Sequence, residues 1–332
     1  DTASVITGVP TLTSTYTKNS AVGTYPITVN VSKMSATNYD FIGANGTLTV
    51  GKVAGSFTFT DETVDYDGKA HSIVATNVVG GTIQYSLDNS TWTDDAPTKT
   101  NAGTYTIYAR LVVDGNHTAI DNKSAKLTIN KIAPTISVNN KTLSIVYGET
   151  GTSTVTTNSD GALTVSSNHA DIASATISNK VVTVKANKVG SATITVSQEA
   201  GTNWKASSVT ISVTVTARAI TITAGTNSWV YDNTAHTMAT TLTSGTLASG
   251  DKATYSASGS ITEVGSVTNT PSVVIKNASG TDVTSNYTVT PVDGTLTVTP
   301  RALTITDVTA VNRVNNGTKT VTLQGGTLHN VA

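Results

Sequence analysis

Two short stretches carry the side chains best suited to chemistry. "VDYDGKAH" at 64–71 places Tyr66, Asp67 and His71 together, and "VYDNTAH" from Val230 repeats the order with Tyr231, Asp232 and His236. A histidine in such a setting is the residue type for a general base or a metal ligand near neutral pH. Each stretch offers one histidine and no second one at ligand spacing, whereas zinc takes three or four protein donors. The cluster Asp61, Glu62, Asp65 and Asp67 has the oxygen chemistry Ca²⁺ prefers. It lacks the alternate-position order, the turn glycine and the closing glutamate of a calcium loop. "QYSLDNSTWTDD" at 84–95 sets Tyr85 and Trp92 around an Asp-Asn turn. Aromatics exposed there would stack on sugar rings, so Tyr85 and Trp92 are candidate glycan contacts. No Ser/His/Asp order, Gly-rich phosphate loop or HExxH is present. The expectation is a protein that is no enzyme and holds neither cofactor nor metal.

Composition narrows the partners. Charged residues make up 12% of the 332 and the net charge is −1, against about 25% charged in average globular proteins. Thr, Ser and Asn therefore supply the polar surface. The Lys and Arg residues are scattered without a basic run, which argues against nucleic acid as a partner. No apolar run reaches the ~18 residues of a membrane-spanning helix, so no membrane insertion is expected. The absence of Cys excludes disulfides and thiolate chemistry. The sequence opens at Asp1 without a visible signal peptide and is read as a mature or excised piece.

The elements that must position these side chains are strands. "GTYTIYARLVV" (103–113), "SATITVS" (191–197), "SVTISVTVTA" (208–217) and "GTLTV" (46–50 and 294–298) alternate hydroxyl and apolar residues. That period of two is the pattern of a half-buried strand, and β-branched residues favour it. Turn pairs such as Asp67-Gly68, Asp114-Gly115 and Asp293-Gly294 punctuate the runs.

The strands belong to a repeat. The tyrosine turn recurs at Tyr66, Tyr147 and Tyr231, and at Asn315 in the fourth copy, at intervals of roughly 80–85 residues. A glycine opens a strand at Gly23, Gly103, Gly190 and Gly265. Asn precedes an aromatic residue or His at Asn38-Tyr39, Asn116-His117, Asn203-Trp204 and Asn286-Tyr287. Each closing strand is followed by a basic residue: Lys52, Lys131, Arg218 or Arg301. Four markers in a fixed order make the tyrosine turn a structural element, in which Tyr66 and Tyr231 are expected to be mainly buried. They divide the chain at 1–52 (the second half of a unit), 53–131, 132–218 and 219–301 (whole units) and 302–332 (a first half). A unit of this size and texture is an immunoglobulin-like sandwich. The expected architecture is all-β, with serial sandwiches forming an elongated rod through junctions too short to hinge freely.

The stretches "YDGKAH", "YDNTAH", "NAGTY", "SNYTV" and "DGTLTVTPRALTIT" resemble the MBG and YDG repeat domains of large bacterial surface proteins. Segment 1–52 resembles the C-terminal half of an MBG domain, and 302–332 the N-terminal half of a YDG-type domain with Asn315 in place of Tyr. The middle unit, through "LTVSSNHADIASATISNKVVTVKANKVGSATITV", is similar to bacterial immunoglobulin-like group 2 domains. The resemblance implies an extracellular or cell-surface setting and a stalk or spacer role, as in adhesins, with neighbouring repeat domains as partners. Two alternatives stand beside it: a module binding glycans or a host protein, and a protomer of an extracellular filament. The incomplete ends are read either as a window cut from a longer array or as head-to-tail assembly, in which one protomer completes the next. The sequons at Asn45, Asn89, Asn122, Asn140 and Asn316 matter only where glycosylation machinery is present.

Overall fold

The computed structural model describes residues 2–332. The fold is all-β, a series of immunoglobulin-like sandwiches. Its only helical turns are two 3₁₀ segments, Ala3–Val5 and Thr284–Asn286, among the described residues. The chain divides into two compact units. One runs up to Pro134 and includes the loops 159–161 and 200–205; the other comprises 135–158, 162–199 and 206–332.

The first unit begins with a three-stranded antiparallel sheet, Thr11–Ser14, Gly23–Asn30 and Gly46–Val50, in that spatial order. None of its residues is buried. A sandwich follows. Its larger sheet orders Glu62–Asp65, Lys123–Asn130, Gly103–Val113 and Gly81–Ser86. Ser56–Thr58 pairs with Thr76–Val79 in a second, smaller sheet. The alternation read from the sequence places the core: Ala125, Leu127 and Ile129 point inward from one strand while Lys126 faces solvent. With Phe57, Ile73, Ile107 and Leu111 they form one cluster, each large apolar side chain contributing about 1.5–3 kcal/mol by burial.

The second unit holds two sandwiches. One has two four-stranded sheets: Ile136–Val138, Thr150–Thr157, Val181–Ala186 and Ala173–Ser178 facing Thr142–Val146, Ser207–Thr216, Gly190–Gln198 and Leu163–Ser167. The other is built from Thr240–Ser244, Arg218–Ala224 and Tyr287–Val292, from Asn227–Val230, Gly294–Thr299 and Gly265–Asn269, and from Lys252–Ala257 paired with Pro271–Lys276. One apolar cluster runs from Ile194 and Val213 through Tyr147 and Tyr287 to Ile222 and Ile275. The chain ends in a hairpin, Thr304–Ala310 with Leu323–His329, all of it exposed.

One device recurs in all three sandwiches. The opening strand is broken, and its second half lies parallel to the sandwich's own closing strand. Glu62–Asp65 pairs with Leu127–Asn130, Thr142–Val146 with Ser212–Thr216, and Asn227–Val230 with Leu296–Thr299. Parallel neighbours require a long crossover, here the rest of the sandwich. The tyrosine follows the parallel half directly: the N–H groups of Tyr66, Tyr147 and Tyr231 donate to the carbonyls of Asn130, Thr216 and Thr299 at 3.0, 2.9 and 2.9 Å.

Candidate functional site

The Tyr-Asp-His stretches are turns. Asp67 Oδ1 accepts the Lys69 N–H at 2.9 Å and lies 2.8 Å from His71 Nε2. Asp232 Oδ1 accepts the Thr234 N–H at 3.0 Å and lies 3.0 Å from His236 Nε2. His71 and Lys99 exchange backbone hydrogen bonds, as do His236 and Ile261. The backbone N–H of Lys69 and then His71 hold the Asp67 carboxyl below its ordinary range. The Thr234 hydroxyl and N–H do the same for Asp232. Thr234 Oγ1 also approaches His236, but at the same Nε2 that faces Asp232. A relay needs nucleophile and orienting carboxylate on opposite nitrogens of the imidazole base, and the His236 ring is instead stacked on Trp229, centroids 4.4 Å apart.

The acidic cluster disperses. Asp61 accepts the Lys126 N–H, Asp65 accepts from Asn130 Nδ2, and Asp67 serves its own turn. No group of three or more His, Asp or Glu side chains converges as metal ligands among the described residues.

The expected glycan contacts are corrected. Tyr85 is 5% exposed, because it lies at an inward position of its strand, beside Phe59. Its hydroxyl accepts the Ala75 N–H at 3.0 Å. Trp92 is half-buried, with the Arg110 guanidinium 4.6 Å over its ring. That guanidinium is held by Gln84 Oε1 at 2.6 and 3.0 Å. The turn between them is fixed by Asp88, whose carboxyl is held well below the usual range by the N–H groups of Thr91 and Ser90 and the Ser86 hydroxyl.

Tyr66 and Tyr231 are partly buried, each packed against the apolar cluster of its sandwich, while Tyr147, 6% exposed, lies within the core. Their hydroxyls do not close a corner on the backbone. That role belongs to Tyr25 and Tyr105, two residues past the marker glycines, whose hydroxyls donate to the carbonyls four residues back, Ala21 and Asn101. This is the tyrosine-corner geometry of immunoglobulin-like domains. It is absent where Ala192 and Val267 occupy the equivalent positions.

The rings at the tyrosine turns do something else: they meet the Asn-aromatic pair of the next unit. Within the first compact unit, Tyr66 packs edge-on to Trp204, centroids 5.8 Å apart and planes at 74°. Within the second, Tyr147 meets Tyr287 in the same way at 5.6 Å and 75°. The Asn of three of the four Asn-aromatic or Asn-His pairs makes the same hydrogen bond. Asn116 Oδ1 accepts the Val22 N–H at 2.9 Å, Asn203 Oδ1 the Ala102 N–H at 2.7 Å, and Asn286 Oδ1 the Val189 N–H at 2.9 Å. Each donor is the residue before a marker glycine, and Gly23, Gly103, Gly190 and Gly265 each open a strand. Gly190 sits at φ 150° with a Cβ position 3.0 Å from Ile172, so a side chain there would disturb the bend that aims the Val189 N–H.

Further groups lock each clasp. Ile132 and Trp204 pair through a parallel bridge, and Lys131 Nζ donates to the Gly201 carbonyl at 2.7 Å. In the second unit both tyrosine hydroxyls donate to Asp251 Oδ2, Tyr147 at 3.1 Å and Tyr287 at 2.6 Å. Burial first, and then the Asp251 charge, push both phenols up from their ordinary value. Arg218 donates to the Tyr147 carbonyl and pairs with Glu149. Gly148, at φ +85°, leaves only 2.6 Å between a would-be Cβ and Ala248. The four sequence markers were therefore legible, but their pairing across about a hundred residues was not.

Residues 1–49 match the MBG domain family, YGX type. This MBG segment is the three-stranded sheet that opens the first unit. No curated protein matches the sequence. Among solved structures, domains 4 and 5 of the S-layer protein SbsC are 22% identical over 43% of this chain and 80% of theirs, with a TM-score of 0.24. Fibronectin(III)-like modules of Clostridium thermocellum CbhA are 15% identical over 48% of this chain and 94% of theirs, TM-score 0.22. Sidekick-1 immunoglobulin domains 1–5 are 14% identical over 86% of this chain and 68% of theirs, TM-score 0.30.

Proposed function

We propose that the chain is a non-catalytic, load-bearing spacer segment of a large bacterial cell-surface protein, of the kind that holds an adhesive head at a distance. The observation that carries this reading is the parallel pairing of opening and closing strands in all three sandwiches. Tension applied through the two ends of such a sandwich loads that ladder in shear, so its hydrogen bonds must fail together. Within the second compact unit, the Asn286-Tyr287 clasp complements it by holding the 219–301 sandwich to the 132–218 sandwich. The MBG match over residues 1–49 agrees with a surface-protein setting. The burial of Tyr85 and the Arg110 guanidinium over Trp92 count against these two aromatics as glycan contacts.

Force spectroscopy tests the proposal, since forced unfolding is governed by the unfolding barrier. Each sandwich should unfold in one abrupt event. Leu143→Pro, which removes one of the alternate donors of the 142–146 ladder, should lower the force of one event and leave the others unchanged. Gradual extension at low force, or no effect of Leu143→Pro, would count against a mechanical role.

A further inference from the structure

The two aromatic clasps differ in chemistry. Tyr66 meets the Trp204 indole, whereas Tyr147 meets a second phenol, Tyr287. Both phenols donate to one carboxylate oxygen, Asp251 Oδ2, at 3.1 Å from Tyr147 and 2.6 Å from Tyr287. By contrast, the hydroxyls of Tyr25 and Tyr105 donate to backbone carbonyls and that of Tyr231 to the Asn233 amide oxygen. At such distances a carboxylate can take a phenolic proton.

Asp251 can also pass protons on. Among the described residues its Oδ1 has no hydrogen-bond partner, and no unpartnered side-chain oxygen is buried. Asp251 and Tyr147 line a cleft of about 370 Å³ within the second unit. The other walls are polar, from Lys185, Asn187, Asn277 and Ser279, so water and small polar solutes can enter. The two rings stay inside, each 6% exposed.

The rings are also placed for coupling. They stand edge to face, centroids 5.6 Å apart and planes at 75°. Both oxygens meet the same atom, so the hydroxyl ends converge, and with them the ring carbons ortho to oxygen. The Ala248 N–H donates to the Tyr287 oxygen at 2.9 Å and fixes that end. Reactants held side by side in this way gain a large effective concentration. Burial and then Asp251 raise both phenol pKa values and keep the groups protonated at neutral pH. Loss of an electron must therefore carry a proton with it, to an acceptor already in contact.

We propose that Tyr147 and Tyr287 are a site of oxidative cross-linking, joined as dityrosine by a small one-electron oxidant such as a peroxidase-generated radical. Each phenol gives one electron to the oxidant, which is reduced, and one proton to Asp251, which releases it to water through Oδ1. The two phenoxyl radicals form a carbon–carbon bond between their ortho positions. The ring hydrogens at those positions return to the oxygens, so the product keeps both phenols, and the pair has lost two electrons and two protons in all. The bond ties the 132–218 sandwich to the 219–301 sandwich, in a chain whose lack of Cys leaves no disulfide to do so. The proposal stands on this cluster alone and not on the mechanical reading.

Brief illumination of the dilute full chain with ruthenium(II) tris-bipyridyl and persulfate supplies the oxidant for a test. Proteolysis and mass spectrometry should find the Tyr147 peptide joined to the Tyr287 peptide, lighter by two hydrogens than their sum, with the blue fluorescence of dityrosine. Tyr147→Phe should abolish that product. Asp251→Asn, close in shape but a poor proton acceptor, should lower its yield by roughly tenfold or more with an unchanged thermal melt. Tyr16 and Tyr25 serve as the reference, a pair at 5.6 Å and 71° in which Tyr25 donates to a carbonyl. Their oxidation should be the same in the natural chain and in Asp251→Asn. No joined peptide from the natural chain, or a yield indifferent to Asp251→Asn, would overturn the proposal.

Discussion

The indole of Trp204 stands edge-on to the ring of Tyr66, 5.8 Å between centroids and 74° between planes. The two residues are far apart in sequence and come from different repeats, yet both lie in the first compact unit. The Asn203 side-chain Oδ1 beside the indole accepts the Ala102 N–H at 2.7 Å. An aromatic pair in this geometry is worth about 0.5–1.5 kcal/mol beyond its buried area. A double-mutant cycle on Tyr66→Ala and Trp204→Ala, read by denaturant unfolding, should return a coupling energy in that range. Additive effects would mean that the rings merely adjoin.

Tyrosines at equivalent repeat positions should differ in what they stabilise. Tyr147 is 6% exposed and sits in the continuous core of the second unit, whereas Tyr231 is half-buried. Tyr147→Ala should cost about 3–5 kcal/mol, the range for removing a buried aromatic. Tyr231→Ala should cost clearly less, about 1–2 kcal/mol, near the centre of ordinary substitutions. Thermal melts of the two variants make the comparison, and equal losses would contradict the burial argument.

The contrast among these tyrosines shows what the sequence could convey. Alternation in Lys123–Asn130 and Gly103–Val113 determined which side chains face inward, and the core followed. The repeat markers located the turns. Periodicity, however, encodes only inside and outside, so it could not distinguish a ring buried in its own sandwich from one covered by a loop of the next. Tyr85, at an inward position of its strand, was therefore misread as an exposed contact. The pairing of Asn203 with Ala102, or Asn286 with Val189, depends on a bend and a loop meeting at matched distance, a property of the assembled backbone. A side-chain amide before an aromatic in every repeat was the one available signal.

The second unit should lose stability at high pH. Both Tyr147 and Tyr287 have their phenol pKa raised above the ordinary 10.0 by burial and then by Asp251. The folded state therefore holds protons that the unfolded state releases. The contribution is fully present below pH 10 and is lost as pH rises through the raised values. Melting temperatures measured from pH 8 upward should fall more steeply above pH 10 for the natural chain than for Tyr147→Phe with Tyr287→Phe. Parallel curves would show that the Asp251 contacts do not hold the phenols neutral.

The central claim is that an Asn and an aromatic residue from one repeat fix the joint with its neighbour. It is tested most directly where both partners lie in the second unit. Because the chain has no Cys, Lys141→Cys and Lys276→Cys, at exposed positions on the two sandwiches, can carry a pair of spin labels. The distance distribution between them, measured by pulsed electron resonance, should be single and narrow. Adding Asn286→Ala and Tyr287→Ala, which removes the Val189 acceptor and the Tyr147 partner, should broaden it while the 132–218 sandwich stays folded. A distribution equally narrow with and without the clasp, or broad from the start, would contradict the claim.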